Sequence, residues 1–274
     1  FVYEIRDLWP LVLIEMGRIT DRSLVARAMR ALEYFLLKRA DRVFGAWRYF
    51  DKYVAERGIS PEKVIWIPQF AVKERIPSQC TSPPEATPFT IIYAGGIVNF
   101  MALDIVLQCA LLFQERSCND VRFLLVGGGQ ELPRLRAWAM DKDLKNVEFV
   151  DPVPKEALYA IMEHAHAFVI SMRGLPHHVY GVSLNKLCDY MAMERPIVYA
   201  TRSSYNPVVE AKAGIAVEPE NAEAMYRAFL EIKAMSPARR REMGRNAKAF
   251  LMEHHEVTVI ANRVHKALSE ICVG

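Results

Sequence analysis

The stretch Tyr180-Gly-Val-Ser-Leu-Asn-Lys-Leu-Cys-Asp-Tyr-Met-Ala192, followed by Pro196-Ile-Val-Tyr199, decides the fold of this chain. It predicts a tight loop, a helix capped by Ser183 and a short buried strand. A helix N-terminus offers unpaired N–H groups and a positive dipole end to an anion. Lys186 adds a full positive charge there, and Asp189 adds an acceptor that suits ribose hydroxyls. The stretch therefore indicates a site for a nucleotide-sugar, and hence a sugar-transfer enzyme.

The sequence on both sides of this stretch alternates apolar strands with helical patterns. The predicted strands are 89–93, 121–126, 147–150, 167–170, 196–199 and 214–217. Helical spacing of apolar residues separates most of them, and three helices are predicted after the last one. Six strands joined in this way predict a doubly wound parallel α/β sheet. We expect this unit, residues 89–255, to bind the nucleotide-sugar that donates the sugar.

A second α/β unit is predicted upstream, in residues 1–70, where strands and helices also alternate. Apolar residues at helical spacing predict a helix from Leu24 to Lys38, with Ser23 as its cap. Residues 71–88 contain four prolines and no periodicity, which is typical of an interdomain linker. The chain starts without Met inside a predicted strand, so we expect residues 1–70 to be the C-terminal part of a truncated domain.

Composition excludes several classes of protein. The 274 residues carry a formal net charge of +3, which is too small to indicate a nucleic-acid partner but leaves room for an anionic membrane surface. The five cysteines are irregularly spaced, so we expect free thiols in a reducing cytoplasm. No apolar run approaches the length of a membrane-spanning helix, and the N-terminus does not resemble a secretory signal.

Three loops follow predicted strands and therefore lie at the carboxyl edge of the donor-side sheet. Gly95 and Gly96, in the loop that ends at Asn99, let a phosphate approach the backbone, although a tight turn needs such glycines as well. Gly127-Gly-Gly129 is not a dinucleotide fingerprint, and we interpret it as a turn. In the loop Val150-Asp-Pro-Val-Pro154, Val153 is the floor of a base site or part of an ordinary turn.

Two further loops carry polar side chains without a decisive pattern. His177 and His178 are adjacent and complete no ligand spacing, so no metal site is predicted; their loop contacts substrate or is simply solvated. In Arg6-Asp-Leu-Trp-Pro10, the charged pair either faces a cleft or forms a local salt bridge beneath a packed tryptophan. No nucleophile arrangement of the Ser/His/Asp or Cys/His kind can be identified.

Together these residues resemble the retaining GT-B glycosyltransferases of family four, and in particular the bacterial transferases of capsule, O-antigen and exopolysaccharide assembly. The motifs that carry the resemblance span most of the chain: Arg6-Asp-Leu-Trp-Pro10, Ala40-Asp-Arg-Val43, 58–68, Ile92-Tyr-Ala-Gly-Gly96, Phe123-Leu-Leu-Val-Gly-Gly128, Gly181-Val-Ser-Leu-Asn-Lys-Leu-Cys-Asp-Tyr-Met-Ala192, Pro196-Ile-Val198 and Met243-Gly244. The family often has two glutamates separated by seven residues. Here Gly181 and Asp189 occupy those positions, and no Arg/Lys pair follows the first glycine loop.

The resemblance implies a GT-B fold with two facing Rossmann-like domains, the first of them incomplete here, and a final helix in 256–274 that packs back onto it. It implies transfer from a UDP- or GDP-sugar to a glycan or lipid-linked acceptor, without metal or cofactor, in the cytoplasm or peripherally at the inner membrane face. Lys186 and Asp189 are the predicted catalytic residues. The predicted donor-binding residues are Gly95, Gly96, Asn99, Val153, Gly181, Ser183 and Asn185.

Two alternatives stay open at this point. One is a nucleotide-sugar epimerase, or another GT-B enzyme, that transfers to no acceptor. The missing Arg/Lys pair also fits a non-catalytic GT-B subunit of a transferase complex. Because the acceptor domain is expected to be incomplete, we expect the fragment alone to be inactive.

Overall fold

The computed structural model of the protein describes residues 1–77, 80 and 88–273, and within them two parallel sheets. The first sheet has the strand order β1-β2-β3 and the second β6-β5-β4-β7-β8-β9. The strands are β1 Val2–Ile5, β2 Arg42–Gly45, β3 Val64–Trp66, β4 Phe89–Ala94, β5 Val121–Val126, β6 Val147–Val150, β7 Ala167–Ser171, β8 Ile197–Ala200 and β9 Gly214–Val217.

Helices connect nearly all of these strands. They are α1 Leu11–Glu15, α2 Leu24–Arg39, α3 Phe50–Ala55, α4 Leu103–Glu115, α5 Leu132–Asp141, α6 Lys155–Met162, α7 Asn185–Ala192, α8 Pro207–Glu210, α9 Ala222–Ala234, α10 Pro237–His254 and α11 Val257–Val273. Short 3₁₀ turns lie at Pro61–Lys63, Lys73–Arg75, Asn99–Met101 and Pro176–Tyr180.

The larger sheet confirms the predicted doubly wound α/β unit. Every residue of β4 is buried, as expected for a central parallel strand that is covered on both faces. All pairings in this sheet are parallel, and β4 pairs with both β5 and β7. The strand order therefore reverses between β4 and β7, and the crevice outside their carboxyl ends is where such sheets bind ligands.

The smaller sheet has its own apolar core, in which Leu8, Val43 and Phe50 are fully buried. Helix α2 is confirmed, and Ser23 caps it by accepting a hydrogen bond from the Ala26 N–H. Most of the apolar residues that predicted this helix are nevertheless exposed; the buried residues of α2 are Ala26, Glu33 and Leu37. The burial of Glu33 is accommodated by a 2.7 Å hydrogen bond from the Tyr53 hydroxyl.

The last helix contacts the smaller sheet. The Arg263 guanidinium donates to the Trp66 carbonyl at 2.9 Å, and Ala71 forms a parallel β-bridge with Glu256. These contacts agree with a helix that packs back onto residues 1–70, whereas the domain boundaries themselves stay a prediction. Much of the predicted linker, residues 78, 79 and 81–87, lies outside the described residues.

Two predictions from composition can be followed in the described part of the chain. Cys80, Cys109, Cys118 and Cys188 are free thiols, while the side chain of Cys272 lies outside what is described. Among the described helices, none is long and apolar enough to cross a membrane.

Glycines allow the loops after β4 and β5 to interlock. The Gly95 N–H donates to Val126, and the Ile97 N–H donates to Gly128. Gly127 has φ +139°, and a Cβ there would lie 2.0 Å from the Gly95 carbonyl oxygen. These loops therefore approach each other more closely than any side chain at Gly127 would allow.

We expect Gly127→Ala to destabilise the protein by about 2–4 kcal/mol, because it combines a left-handed φ with a backbone clash. Gly96→Ala is the matched control, since the nearest atom to its Cβ would be Val98 Cγ1 at 4.0 Å. Urea unfolding of both variants measures the difference. Equal effects of the two changes would show that the interlock does not constrain the loops.

Candidate active site

Helix α7 begins at Asn185, and Ser183 does not cap it, so this part of the sequence prediction is wrong. The N-cap residue is Leu184, without a side-chain cap. The Ser183 hydroxyl instead accepts a hydrogen bond from the Gln69 N–H at 3.0 Å, across to the segment that follows β3. The first turn of α7 therefore has backbone N–H groups that no side chain caps, which is the arrangement that binds anions.

Tyr190 fixes α7 against the end of β4. Its hydroxyl accepts from the Ala94 N–H at 2.6 Å and lies 3.2 Å from the Ala94 carbonyl oxygen. Its ring stacks on Phe168 of β7 at 4.4 Å between centroids. Because residues four apart share a helix face, Tyr190 directs Lys186 toward β4. The i, i+4 spacing in the sequence would have revealed this role.

Lys186 is one of the two predicted catalytic residues, and its ammonium has no acidic partner within the described residues. Its ammonium contacts the Tyr93 hydroxyl and lies 3.0 Å from Met101 Sδ and 4.1 Å from the centroid of the Tyr93 ring. Within the described residues it forms no salt bridge. Gly95 makes room for it, since a Cβ on Gly95 would lie 2.9 Å from Lys186 Nζ.

Burial lowers the pKa of Lys186 to about 7. Taking an ammonium out of water disfavours its charged form when no anion is near. At neutral pH the amine is therefore close to its titration midpoint, and an anionic ligand beside it would restore the proton.

Asp189 joins α7 to α6. Its Oδ1 lies 2.9 Å from Lys155 Nζ and accepts a hydrogen bond of 2.9 Å from the Tyr159 hydroxyl. Oδ2 has no protein partner in the described residues, so one carboxylate oxygen stays available to a hydroxyl. Helix α6 follows the loop that contains Val153, which is partly buried against the core.

The loop after β4 offers fewer backbone donors than predicted. The Gly95 N–H is occupied by the Val126 carbonyl at 2.9 Å, so Gly95 contributes space for Lys186 and not a donor. Gly96 is exposed, and no protein group in the described chain accepts from its N–H. Asn99 is exposed at the start of a 3₁₀ turn, and Asn185 is exposed at the start of α7.

Gly181 lies at the contact between the two sheets. It has φ +113°, and a Cβ there would lie 2.9 Å from the Arg48 backbone nitrogen. The Tyr49 N–H donates to the Tyr180 carbonyl at 2.9 Å beside it. A side chain at this position would therefore meet the backbone after β2, which explains why no carboxylate is supplied from residue 181.

A cavity of about 440 Å³ lies between the sheets and reaches the loop before α7. Gly181 and Ser183 line it, together with Arg6 and Asp7 from the loop after β1. A second cavity, of about 590 Å³, is lined by Asn99 and by groups that follow β5 and β7. The predicted residues are therefore spread over the fold: Gly181 and Ser183 line the first cavity, Asn99 lines the second, and Lys186 and Asp189 line neither.

The two loops left open by the sequence both reach the first cavity. Arg6 pairs with Glu4 at 3.7 Å and not with Asp7, and Trp9 is half-exposed, so the local salt bridge beneath a packed tryptophan is wrong. His177 and His178 line the same cavity, and His177 Nδ1 lies 2.5 Å from Glu15 Oε2 of α1. No cluster that could hold a metal ion occurs in the described residues.

Similarity to known proteins identifies the family of this chain. The model of the family described as Glycosyl transferases group 1 matches residues 88–234, more than half of the chain. The chain belongs to this family. The match covers β4 to α9, and so contains Lys186, Asp189 and the interlocked glycine loops.

Similar proteins agree with this membership. The chain is 25% identical over 237 residues to WcaI of Escherichia coli strain K12, a protein whose name assigns it to colanic acid biosynthesis as a glycosyl transferase. The alignment covers 81% of this chain and 56% of that relative, so the chain spans little more than half of the relative's length.

Solved structures show the fold. Sucrose-phosphate synthase from Thermosynechococcus elongatus superposes with a TM-score of 0.77 at 18% identity, over 99% of this chain and 68% of that one. Anabaena Alr3699/HepE, in a complex with UDP and glucose, gives 0.72 at 15% identity, over 98% and 71%. The chain thus has the GT-B fold of glycosyltransferases.

Lys186→Met should stabilise the unliganded protein at neutral pH. A lysine titrates near 10.4 in an unfolded chain and near 7 here. The unfolded state binds the proton more tightly in that window, so the wild type loses stability as pH falls from about 10 to about 7. We expect the stabilisation by Lys186→Met to be about 2 kcal/mol larger at pH 7 than at pH 9.

Urea unfolding at both pH values measures this effect. Lys145→Met is the matched control, because the Lys145 side chain is exposed and pairs only with the exposed Asp143. The control should show no such pH-dependent difference. The same difference in both variants would mean that the Lys186 ammonium is not buried.

Proposed function

We propose that the protein transfers a sugar, with retention, from a UDP- or GDP-sugar to a glycan or lipid-linked acceptor in cell-surface polysaccharide biosynthesis. The observation that carries the proposal is the part-buried ammonium of Lys186, which lies at the switch point of the sheet and has no acidic partner within the described residues. A diphosphate is the ligand that would complete this site, since it supplies negative charge beside an uncapped helix start.

Lys186 would act on the leaving group. Cleavage of the bond between the sugar and the diphosphate leaves negative charge on the phosphate oxygen. A preorganised ammonium in a partly dry pocket stabilises that charge more strongly than water does. The N–H groups of Gly96 and of the first turn of α7 would add dipoles at the same place. In this proposal they take the role that a metal ion has in other transferases.

Asp189 and Val153 would hold the nucleoside. The free Oδ2 of Asp189 suits a ribose hydroxyl, because an ionised carboxylate accepts strong hydrogen bonds. Lys155 and Tyr159 fix the other oxygen, so the carboxylate is already oriented before the donor binds. Val153 follows β6 on the same side and would present an apolar surface to the base.

The similar proteins support the substrate classes. Alr3699/HepE is described in complexes with UDP, with UDP and glucose and with UDP-glucose. TarM of S. aureus is described in a complex that contains UDP and alpha-GlcNAc-glycerol. WcaI is named for colanic acid biosynthesis. We propose that the reaction takes place in the cytoplasm or peripherally at the inner face of the membrane.

Two alternative functions make different predictions for nucleotide binding and for UDP release. An epimerase-like enzyme of GT-B type would convert the donor without an acceptor, so UDP release would not depend on acceptor. A non-catalytic subunit would bind no nucleotide. The unpaired charge of Lys186 favours a nucleotide-binding protein over the second alternative, because an unpaired buried ammonium lowers stability unless a ligand uses it.

We expect Lys186→Ala to weaken UDP binding about 10- to 100-fold, which corresponds to the loss of a hydrogen bond between charged groups. Lys145→Ala is the exposed control and should bind like the wild type. Titration calorimetry on this chain measures both affinities. Unchanged affinity in Lys186→Ala would remove Lys186 from the site, and no binding of UDP or GDP by the wild type would contradict the proposed function.

Binding should also take up a proton. At pH 8 most Lys186 amines are neutral, since the pKa is about 7, while a phosphate is already ionised, with a second pKa of about 6. The bound diphosphate raises the pKa of Lys186, so the wild type should take up close to one proton and Lys186→Ala none. Calorimetry at pH 8 in two buffers of different ionisation enthalpy measures this uptake. Affinity should accordingly fall as pH rises above 7.

A further inference from the structure

The cavity between the two sheets presents aromatic faces to its interior. Trp9, Phe70 and Phe100 line it and are 50%, 46% and 37% exposed. Trp9 and Phe70 belong to the part of the chain before the linker, and Phe100 follows β4. Three large aromatic rings exposed in one concave place mark a ligand site more readily than scattered surface residues do.

The charged groups of this cavity are mostly acidic. Among the described lining residues, Glu4 and Asp7 are carboxylates and Arg6 is the cation other than histidine. Arg6 is 72% exposed and pairs with Glu4 at 3.7 Å. Asp7 has neither a hydrogen bond nor an ion pair to its carboxylate in the described residues. Its pKa is raised by burial, against the lowering effects of Arg6 and His177.

The two histidines add little free positive charge. His177 Nδ1 lies 2.5 Å from Glu15 Oε2, and the same oxygen is 3.3 Å from the His177 N–H, so any charge on this ring is already matched. Burial and the neighbouring His177 lower the pKa of His178 to about 4, which keeps it neutral at physiological pH. His178 Nδ1 is buried and has no hydrogen-bond partner in the described part of the chain.

The two ends of the cavity differ in what they adjoin. Gly181 to Leu184 line one end and lead directly into the helix that carries Lys186. If the donor diphosphate binds at Lys186, the transferred sugar enters the cavity at this end. Asp7 and Trp9 lie in the segment between β1 and α1, which belongs to the other sheet. That end is left for the second substrate.

We infer that the Asp7–Trp9 end of the cavity takes an uncharged sugar ring of the acceptor, stacked on Trp9 and hydrogen-bonded to Asp7, and rejects sugars that carry a carboxylate. That this sugar belongs to the acceptor rests on the proposed function. The apolar C–H face of a sugar fits an aromatic ring, and a carboxylate accepts hydrogen bonds from hydroxyls. Asp7 is exposed and lines the cavity, so an anionic ligand at this end would meet a like charge, which repels it even in a largely aqueous medium.

Saturation-transfer NMR on the chain, without nucleotide, tests this inference with methyl β-D-glucopyranoside and methyl β-D-glucuronide at pH 7.5. We expect the wild type to bind the neutral glycoside at least about fivefold more tightly. In Asp7→Asn the ratio of the two affinities should fall below about twofold, because the amide keeps the hydrogen bond and loses the repulsion. Glu62→Gln is the matched control, since Glu62 lies outside this cavity and should leave the ratio unchanged.

Trp9→Ala should weaken both glycosides equally, which separates stacking from charge. A wild type that binds the glucuronide as well as the glucoside, or binds neither, would overturn the inference, and so would a ratio that Asp7→Asn does not change. UDP binding is measured separately. Normal UDP binding without discrimination between glycosides would refute only the acceptor site, and discrimination without UDP binding would refute only the proposed function.

Discussion

Lys186 can lie across the end of β4 only because Gly95 has no side chain. A second glycine has the same effect at the neighbouring strand. Because Gly127 has no side chain, the loop after β5 can contact the Gly95 carbonyl. Tyr190 then holds both backbone groups of Ala94 from α7. The loops, the helix and the strand thus form one rigid contact, and the ammonium is placed by backbone geometry and not by an opposing charge.

This arrangement has a free-energy cost in the unliganded protein. A lysine beside a tyrosine and a methionine loses hydration without gaining an anion, and its pKa falls to about 7 as a result. Asp189, only one turn away, is neutralised by Lys155 and cannot offset the charge of Lys186. In the proposed function the same burial would favour an anionic ligand, so stability and ligand affinity would oppose each other at this residue.

Local patterns predicted what depends on local chemistry. Strand positions, the doubly wound order and the place of Lys186 follow from apolar periodicity and from the rule that parallel strands bring their carboxyl ends to one edge. The role of Ser183 could not be predicted, because its partner Gln69 lies far away in sequence, in the segment that follows β3. The occupied N–H of Gly95 likewise depends on a strand pairing that only the folded sheet defines.

The cleft is electrically polarised along its length. Within the described residues, the Lys186 ammonium has no acidic partner, and the Asp7 carboxylate forms no ion pair although Arg6 and His177 lie near it. A substrate pair with a diphosphate at one end and neutral hydroxyls at the other is favoured in one orientation, and the reverse orientation places like charges together at Asp7. In the proposed reaction, the relative position of the two sheets would set the distance over which the transferred sugar moves, because the two ends belong to different sheets. The charges at the two ends would therefore orient the substrates, and the packing of the two sheets would set the distance between them. Neither effect requires a side chain at Gly181.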